Sequence, residues 1–169
     1  MTFTPELAAF GAIAGAMCLA AIGVVASKDA VRSALSLVGT FLLLAILYLA
    51  MGAEMIGITQ IIVYTGAIMV LFLFVVMLLN LGAGNAVREK VDPKTGLGIV
   101  TGLALFALVG SQLLPPFLAV TRPAAPADWG GPEVVGRAIF PQFVFPFEAV
   151  SILLLVGVVG SILLAKRKL

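Results

Sequence analysis

Histidine is absent from this chain, and cysteine occurs once, as Cys18. A metal or haem site needs several His, Cys or clustered carboxylate ligands, so neither centre is expected, and no disulfide can close within the chain. Charge is scarce as well. Asp, Glu, Lys and Arg make up 11% of the 169 residues, against about 25% in soluble domains. Such a chain cannot clothe a water-facing surface. Disorder is excluded by the same composition, because it requires low hydrophobicity and high net charge. Ten Lys and Arg against eight Asp and Glu leave +2, with no basic block able to neutralise a run of phosphates, so no nucleic-acid partner is expected. What the chain has in abundance is apolar surface: 62% of residues are hydrophobic and the mean hydropathy is +1.23. This is the composition of an integral membrane protein.

The few charges divide the chain into uncharged stretches at 7–27, 33–53, 55–87, 95–121 and 149–165. A helix needs about 20 apolar residues to cross a hydrocarbon core of roughly 30 Å. Each stretch is long enough for one crossing, and none is long enough for two. The expected fold is therefore all-α: a single transmembrane domain over 1–169, with five helices at about 5–26, 31–51, 54–82, 97–119 and 143–165. Spanning strands would alternate with period two, and Leu71-Phe72-Leu73-Phe74-Val75-Val76-Met77-Leu78-Leu79 does not.

Lys and Arg orient the bundle. With five spans, Lys28, Arg32, Arg88, Lys90, Lys94, Lys166, Arg167 and Lys168 share one face, and only Arg122 and Arg137 fall on the other. The positive-inside rule then places the N-terminus outside and the C-terminus in the cytoplasm. The start, Met1-Thr2-Phe3-Thr4-Pro5-Glu6, lacks the positive region of a secretory signal, so the first helix is expected to stay. Residues 120–142, rich in Pro and Gly, read as an outer loop, with Pro115-Pro116 ending the fourth helix. Trp129, the only tryptophan, suits a membrane interface. Lys28, Asp29 and Arg32 read as a cytoplasmic turn that anchors topology.

Polarity inside a membrane helix is expensive and tends to be functional. In the third span, Gln60 and Tyr64 stand four residues apart, on one face of an α-helix, and Tyr64 lies roughly 15 Å into the span at 1.5 Å per residue. A tyrosine hydroxyl at that depth needs a protein or water partner. Thr65 and Gly66 follow at once. A Thr hydroxyl can bond the carbonyl one turn back and bend a helix, and Gly loosens the backbone, so the segment could host a π-bulge. Packing between helices would use the same residue types. Glu54 starts this span and suits a carboxylate reaching the headgroups. Glu148 sits at or just inside the outer boundary of the fifth span; buried there, it would need a donor from another helix. No nucleophile–base pair or phosphate-binding loop is present, and the ionisable groups are too few for a solitary pump.

The run Gln60-Ile61-Ile62-Val63-Tyr64-Thr65-Gly66-Ala67-Ile68-Met69-Val70-Leu71-Phe72-Leu73-Phe74-Val75-Val76-Met77-Leu78-Leu79-Asn80 closely resembles the third helix of subunit J of bacterial NADH:quinone oxidoreductase, respiratory complex I. That family includes the sixth mitochondrially encoded membrane subunit. Asp29-Ala30-Val31-Arg32-Ser33-Ala34-Leu35-Ser36-Leu37 resembles the start of the family's second helix, and Phe147-Glu148-Ala149-Val150-Ser151-Ile152-Leu153-Leu154-Leu155 resembles its fifth. Helix four and the outer loop carry little resemblance. Two positions depart from it: Lys28-Asp29 replaces a frequent Asn-Pro, and Thr65 stands where many relatives have Ala or Val.

The resemblance implies a multi-pass membrane-arm subunit of a bacterial inner-membrane translocase, with no redox centre of its own. It implies that Val63-Tyr64-Thr65-Gly66 lies in a segment interconverting between π-bulge and α-helix, which opens and closes a hydrated path for protons between the quinone region and the antiporter-like subunits. Tyr64, with Gln60, Thr65 and Gly66, would form that gate, and Glu54 and Glu148 would be supporting carboxylates. NADH, FMN, iron–sulfur clusters and quinone would be held by other subunits. The partners implied are neighbouring membrane-arm subunits, especially small ones with intramembrane carboxylates, and the lipid bilayer. The alternatives are a stand-alone small transporter or channel, a space-filling scaffold, or a subunit of a related cation-antiporter or hydrogenase complex.

Overall fold

The computed structural model describes residues 5–79, 93–119 and 129–166, with side chains over 96–112 in the second stretch. Every regular element among them is helical: α1 (Pro5–Ala26), α2 (Ala30–Ala50), α3 (Glu54–Leu78), α4 (Pro93–Ala119), α5 (Pro132–Gln142) and α6 (Val144–Ala165). Four of these, α1, α2, α3 and α6, are long and apolar enough to cross a membrane. Two compact units are present, one made of Met1–Leu79 with Pro126–Leu169 and the other of Asn80–Ala125. The latter contributes α4, in which the described apolar stretch is Gly96–Gln112. The charges Arg88, Lys90, Arg122, Arg167 and Lys168, and the stretches 80–82 and 120–128, lie outside the described residues.

The two proline-rich expectations need correction. Helix α4 runs through Pro115-Pro116 and ends three residues later at Ala119, although an interior proline in general removes an amide donor and crowds the carbonyl four residues back. Part of the expected 120–142 loop is also helical: Pro132 opens α5 at a position where its missing N–H is an orphan anyway. An exposed Arg137–Glu133 ion pair of 2.6 Å, four residues apart, lies along α5. Such a pair adds little in water.

Local chemistry explains where the long helices begin. Asp29 caps α2: its Oδ1 accepts from the Val31 amide at 2.8 Å and the Arg32 amide at 3.1 Å, meeting two of the orphan donors of a helix start. Ser33 on α2 donates through Oγ to the Val24 carbonyl of α1 at 2.6 Å, tying the two helices together at that end.

The α2–α3 turn is a Schellman motif. The Gly52 amide bonds to the Leu49 carbonyl at 3.0 Å, and the Ala53 amide to the Tyr48 carbonyl at 2.9 Å. Gly52 takes a φ of +76°, the left-handed conformation that this motif requires and glycine adopts without penalty.

Helix α2 is the central element of the first unit, packing against α1 on one side and along the whole of α3 on the other. The buried residues follow that contact: Ala34, Ala45, Ala53, Met69 and Val76, with Gln60 the one buried polar side chain among the described residues. At the crossing of α2 and α3, a methyl built on Gly57 would come within 2.8 Å of Leu49 and 3.3 Å of the Ala45 carbonyl oxygen. Small residues therefore let the two backbones approach, as in membrane helix packing generally. The outward faces of α1 and α6 remain apolar and uncovered, a surface suited to lipid or to other membrane helices.

Candidate functional site

The middle of α3 is not α-helical. From Gln60 to Ile68 the backbone forms a nine-residue π-helix, flanked by α-helical Glu54–Thr59 and Met69–Leu78. Its hydrogen bonds reach one residue further back than in an α-helix; the Met69 amide, for instance, meets the Tyr64 carbonyl. The local sequence favours such a departure. Ile61, Ile62, Val63 and Thr65 are β-branched and crowd the preceding turn of an α-helix, while Gly66 adds backbone freedom.

Two side-chain positions follow from the wide turn. Thr65 donates its hydroxyl hydrogen to the Gln60 carbonyl at 3.1 Å, five residues back. A methyl built on Gly66 would press on the Ile61 carbonyl oxygen at 3.3 Å, again five residues back. The expected one-turn stacking of Gln60 and Tyr64 is thereby altered, because at π pitch it is Thr65 that comes round onto Gln60.

Gln60 and Tyr64 nevertheless meet at one cavity. It has a volume of about 160 Å³ and is lined by Met55, Ile56, Thr59, Gln60 and Tyr64 of α3 and by Val135 of α5. Gln60 is buried, with 7% of its surface exposed, whereas Tyr64 is 47% exposed. Thr59, Gln60 and Tyr64 are its residues with polar groups, but the wall they help form is mainly apolar. None of the lining residues is a carboxylate or imidazole that could act as acid or base.

Tyr64 is also held from α2. Its ring meets that of Phe41 edge-on, with centroids 6.1 Å apart and planes at 75°, a preferred arrangement for aromatic pairs. Sequence reasoning missed Phe41, Thr59 and Val135. Nothing in the local pattern around Phe41 distinguishes it from the other apolar residues of its helix, and Val135 belongs to a stretch read as loop.

The two carboxylates are placed elsewhere. Glu54 is exposed in the first turn of α3, where a negative charge complements the helix dipole. Glu148 is exposed on α6. Neither lines the Gln60–Tyr64 cavity. Among the described residues, no three His, Cys, Asp or Glu side chains cluster as a metal site would require.

Residues 20–164, which include all of α2, α3, α5 and the π segment, match the model of the family described as NADH-ubiquinone/plastoquinone oxidoreductase chain 6. The chain belongs to this family. Similar members include NAD(P)H-quinone oxidoreductase chain 6 of Nostoc sp., 34% identical over 96% of this chain and 80% of that protein. NADH-quinone oxidoreductase subunit J of Rhodobacter capsulatus is 35% identical over 94% of this chain and 81% of its own length. F(420)H(2) dehydrogenase subunit J of Methanosarcina mazei is 38% identical over 95% and 91%. This member of the chain 6 family is thus a multi-pass membrane protein, and the resemblance of its third helix to subunit J extends over most of the molecule.

Proposed function

We propose that the chain is a membrane-arm subunit of a proton-pumping NADH:quinone oxidoreductase, acting in coupling and carrying no redox centre. The observation that carries this reading is the π-helix at Gln60–Ile68, which coincides with the most family-like run of the sequence. A π turn holds one residue more than an α turn. Taking one residue out of the wide turn rotates the chain beyond it by about 100°, one residue's step in an α-helix. In one register the cavity beside Gln60 and Tyr64 is continuous with a hydrated path; in the other, that path is closed by apolar side chains. Tyr64 supplies the hydroxyl that relays hydrogen bonds to a carboxylate on a neighbouring subunit, Thr65 sets the stability of the wide turn, and Gly66 gives it room. Glu54 and Glu148 act as supporting carboxylates toward adjacent helices.

In this reading α4 also crosses the membrane, as the fourth of five spans, the N-terminus lies outside, and the C-terminus lies in the cytoplasm of a bacterium whose inner membrane houses the complex. NADH, FMN, iron–sulfur clusters and quinone bind to other subunits. Isolation of the chain in mild detergent is expected to bring flavin and iron–sulfur subunits with it. In the assembled complex, Tyr64→Phe removes only the hydroxyl and is expected to reduce proton pumping in vesicles while assembly stays normal. Undiminished pumping would remove the hydroxyl from the path.

A further inference from the structure

The N-terminal end of α3 has no side-chain cap; Ala53 stands at the capping position. Its place is taken by backbone from a distant part of the chain. The Gly130 carbonyl, just before α5, accepts from the Met55 amide at 2.9 Å. The approach is too close for any side chain. A methyl built on Gly130 would overlap the Gly52 carbonyl and lie 2.7 Å from Ala53 Cα. On the other side of the same turn, Trp129 Nε1 lies 3.4 Å from the position a Gly52 methyl would take. Five residues after Gly52, Gly57 is wedged against Leu49 and the Ala45 carbonyl of α2.

The two ends of α3 are therefore held differently. The part before the π segment is fixed by backbone groups at the Gly52–Gly130 junction and the Schellman turn, and by the fit of Gly57 against the Leu49 side chain and the Ala45 carbonyl. None of these can slide, because a rotation of α3 there would carry Ile56 or Ile58 into the space that only Gly57 fits. The part after the π segment is held against α2 by side chains. Met69 and Val76 are its buried members, whereas Leu71 and Phe74 are 66% and 60% exposed. An unbranched methionine can repack as its backbone turns.

We infer that Gly52 and Gly130 are positioning residues for the gate. Their junction pins the first turns of α3, with Gln60 next to them, so a change of register at Gln60–Ile68 turns only Met69–Leu78. This rests on the gating role proposed above and adds to it which end moves. Without the junction, the rotation would be shared between both ends, and Tyr64 would shift relative to Phe41 and the cavity.

The test uses the assembled complex in vesicles, as wild type, Gly130→Ala and Gly136→Ala; an added methyl at Gly136 meets no atom within 4 Å. Proton uptake per NADH oxidised is measured, with amide hydrogen exchange along α3 at rest and during turnover with NADH and quinone. In the wild type, turnover is expected to change exchange over 69–78 and leave 54–58 unaltered. In Gly130→Ala the Met55 amide should exchange about fivefold to tenfold faster at rest, the effect of losing one hydrogen bond. Turnover should then reach 54–58, and protons per NADH should fall while NADH oxidation continues. Gly136→Ala should match the wild type.

Equal turnover effects at 54–58 and 69–78 in the wild type would overturn the pinned end and leave a moving helix in place. Wild-type stoichiometry in assembled Gly130→Ala, or an equal loss in Gly136→Ala, would overturn the junction's role. The absence of any turnover effect along 54–78 would remove the gate and the pin together. If Gly130→Ala does not assemble, the wild-type exchange pattern decides alone.

Discussion

Thr65 and Gln60 are joined across five residues, hydroxyl to carbonyl, at 3.1 Å. In an α-helix the same hydroxyl would find the carbonyl three or four residues back. Its partner therefore reports the register of the backbone. Thr65 is thus bonded within the π segment and does not line the cavity.

Gly66→Val places branched carbon 3.3 Å or less from the Ile61 carbonyl oxygen. Overpacking of this kind costs about 1–3 kcal/mol, all of it charged against the π form. Proton pumping by the complex is expected to fall further than in Tyr64→Phe. Wild-type pumping in this variant would take Gly66 out of the account.

Phe41 sets the Tyr64 ring from α2 through their edge-on contact. Phe41→Leu keeps an apolar side chain and removes an interaction of about 0.5–1.5 kcal/mol. Normal assembly with a lowered proton-to-electron ratio is expected. A lowered amount of complex with a normal ratio would reduce Phe41 to a packing residue.

Gly57→Val should act on folding, because the new side chain meets both Leu49 and the Ala45 backbone. The cost is about 1–3 kcal/mol or more at a crossing this close. The amount of assembled complex in the membrane should drop, readable by native electrophoresis; undiminished assembly would show that α2 and α3 can separate there without loss.

Asp29→Ala removes both bonds to the Val31 and Arg32 amides. Loss of such a cap costs about 1 kcal/mol, so those two amides should exchange roughly fivefold faster while pumping stays near normal. Strong loss of pumping would give Asp29 a part beyond capping.

Much of the helical architecture was legible because long uncharged runs have few other uses: 55–87 cannot be placed in water. The break at Lys28-Asp29 was equally legible, though its residues were read as a charge anchor and Asp29 proved to be a cap. Residues 132–142 were misread, since Pro and Gly mark turns in general, whereas Pro132 occupies the first turn of a helix. At the site, Gln60, Tyr64, Thr65 and Gly66 stood out because polar and β-branched residues are conspicuous in an apolar span. Their neighbours Phe41 and Val135 were invisible, being apolar residues among many.

Composition and local order thus determined the solvent of this protein, its helical character and the segment where an α-helix is least secure. Those properties depend on residues near one another in sequence. Only the tertiary structure decided that a carbonyl from Gly130 caps α3, that Gly57 meets Ala45 across two helices, and that Val135 closes the cavity beside Gln60. Each joins segments distant in sequence: the first two meet through backbone groups, which look the same at every residue, and the third through one apolar side chain among many. With so little charge available, the chain secures the π-containing helix α3 with glycines and main-chain hydrogen bonds.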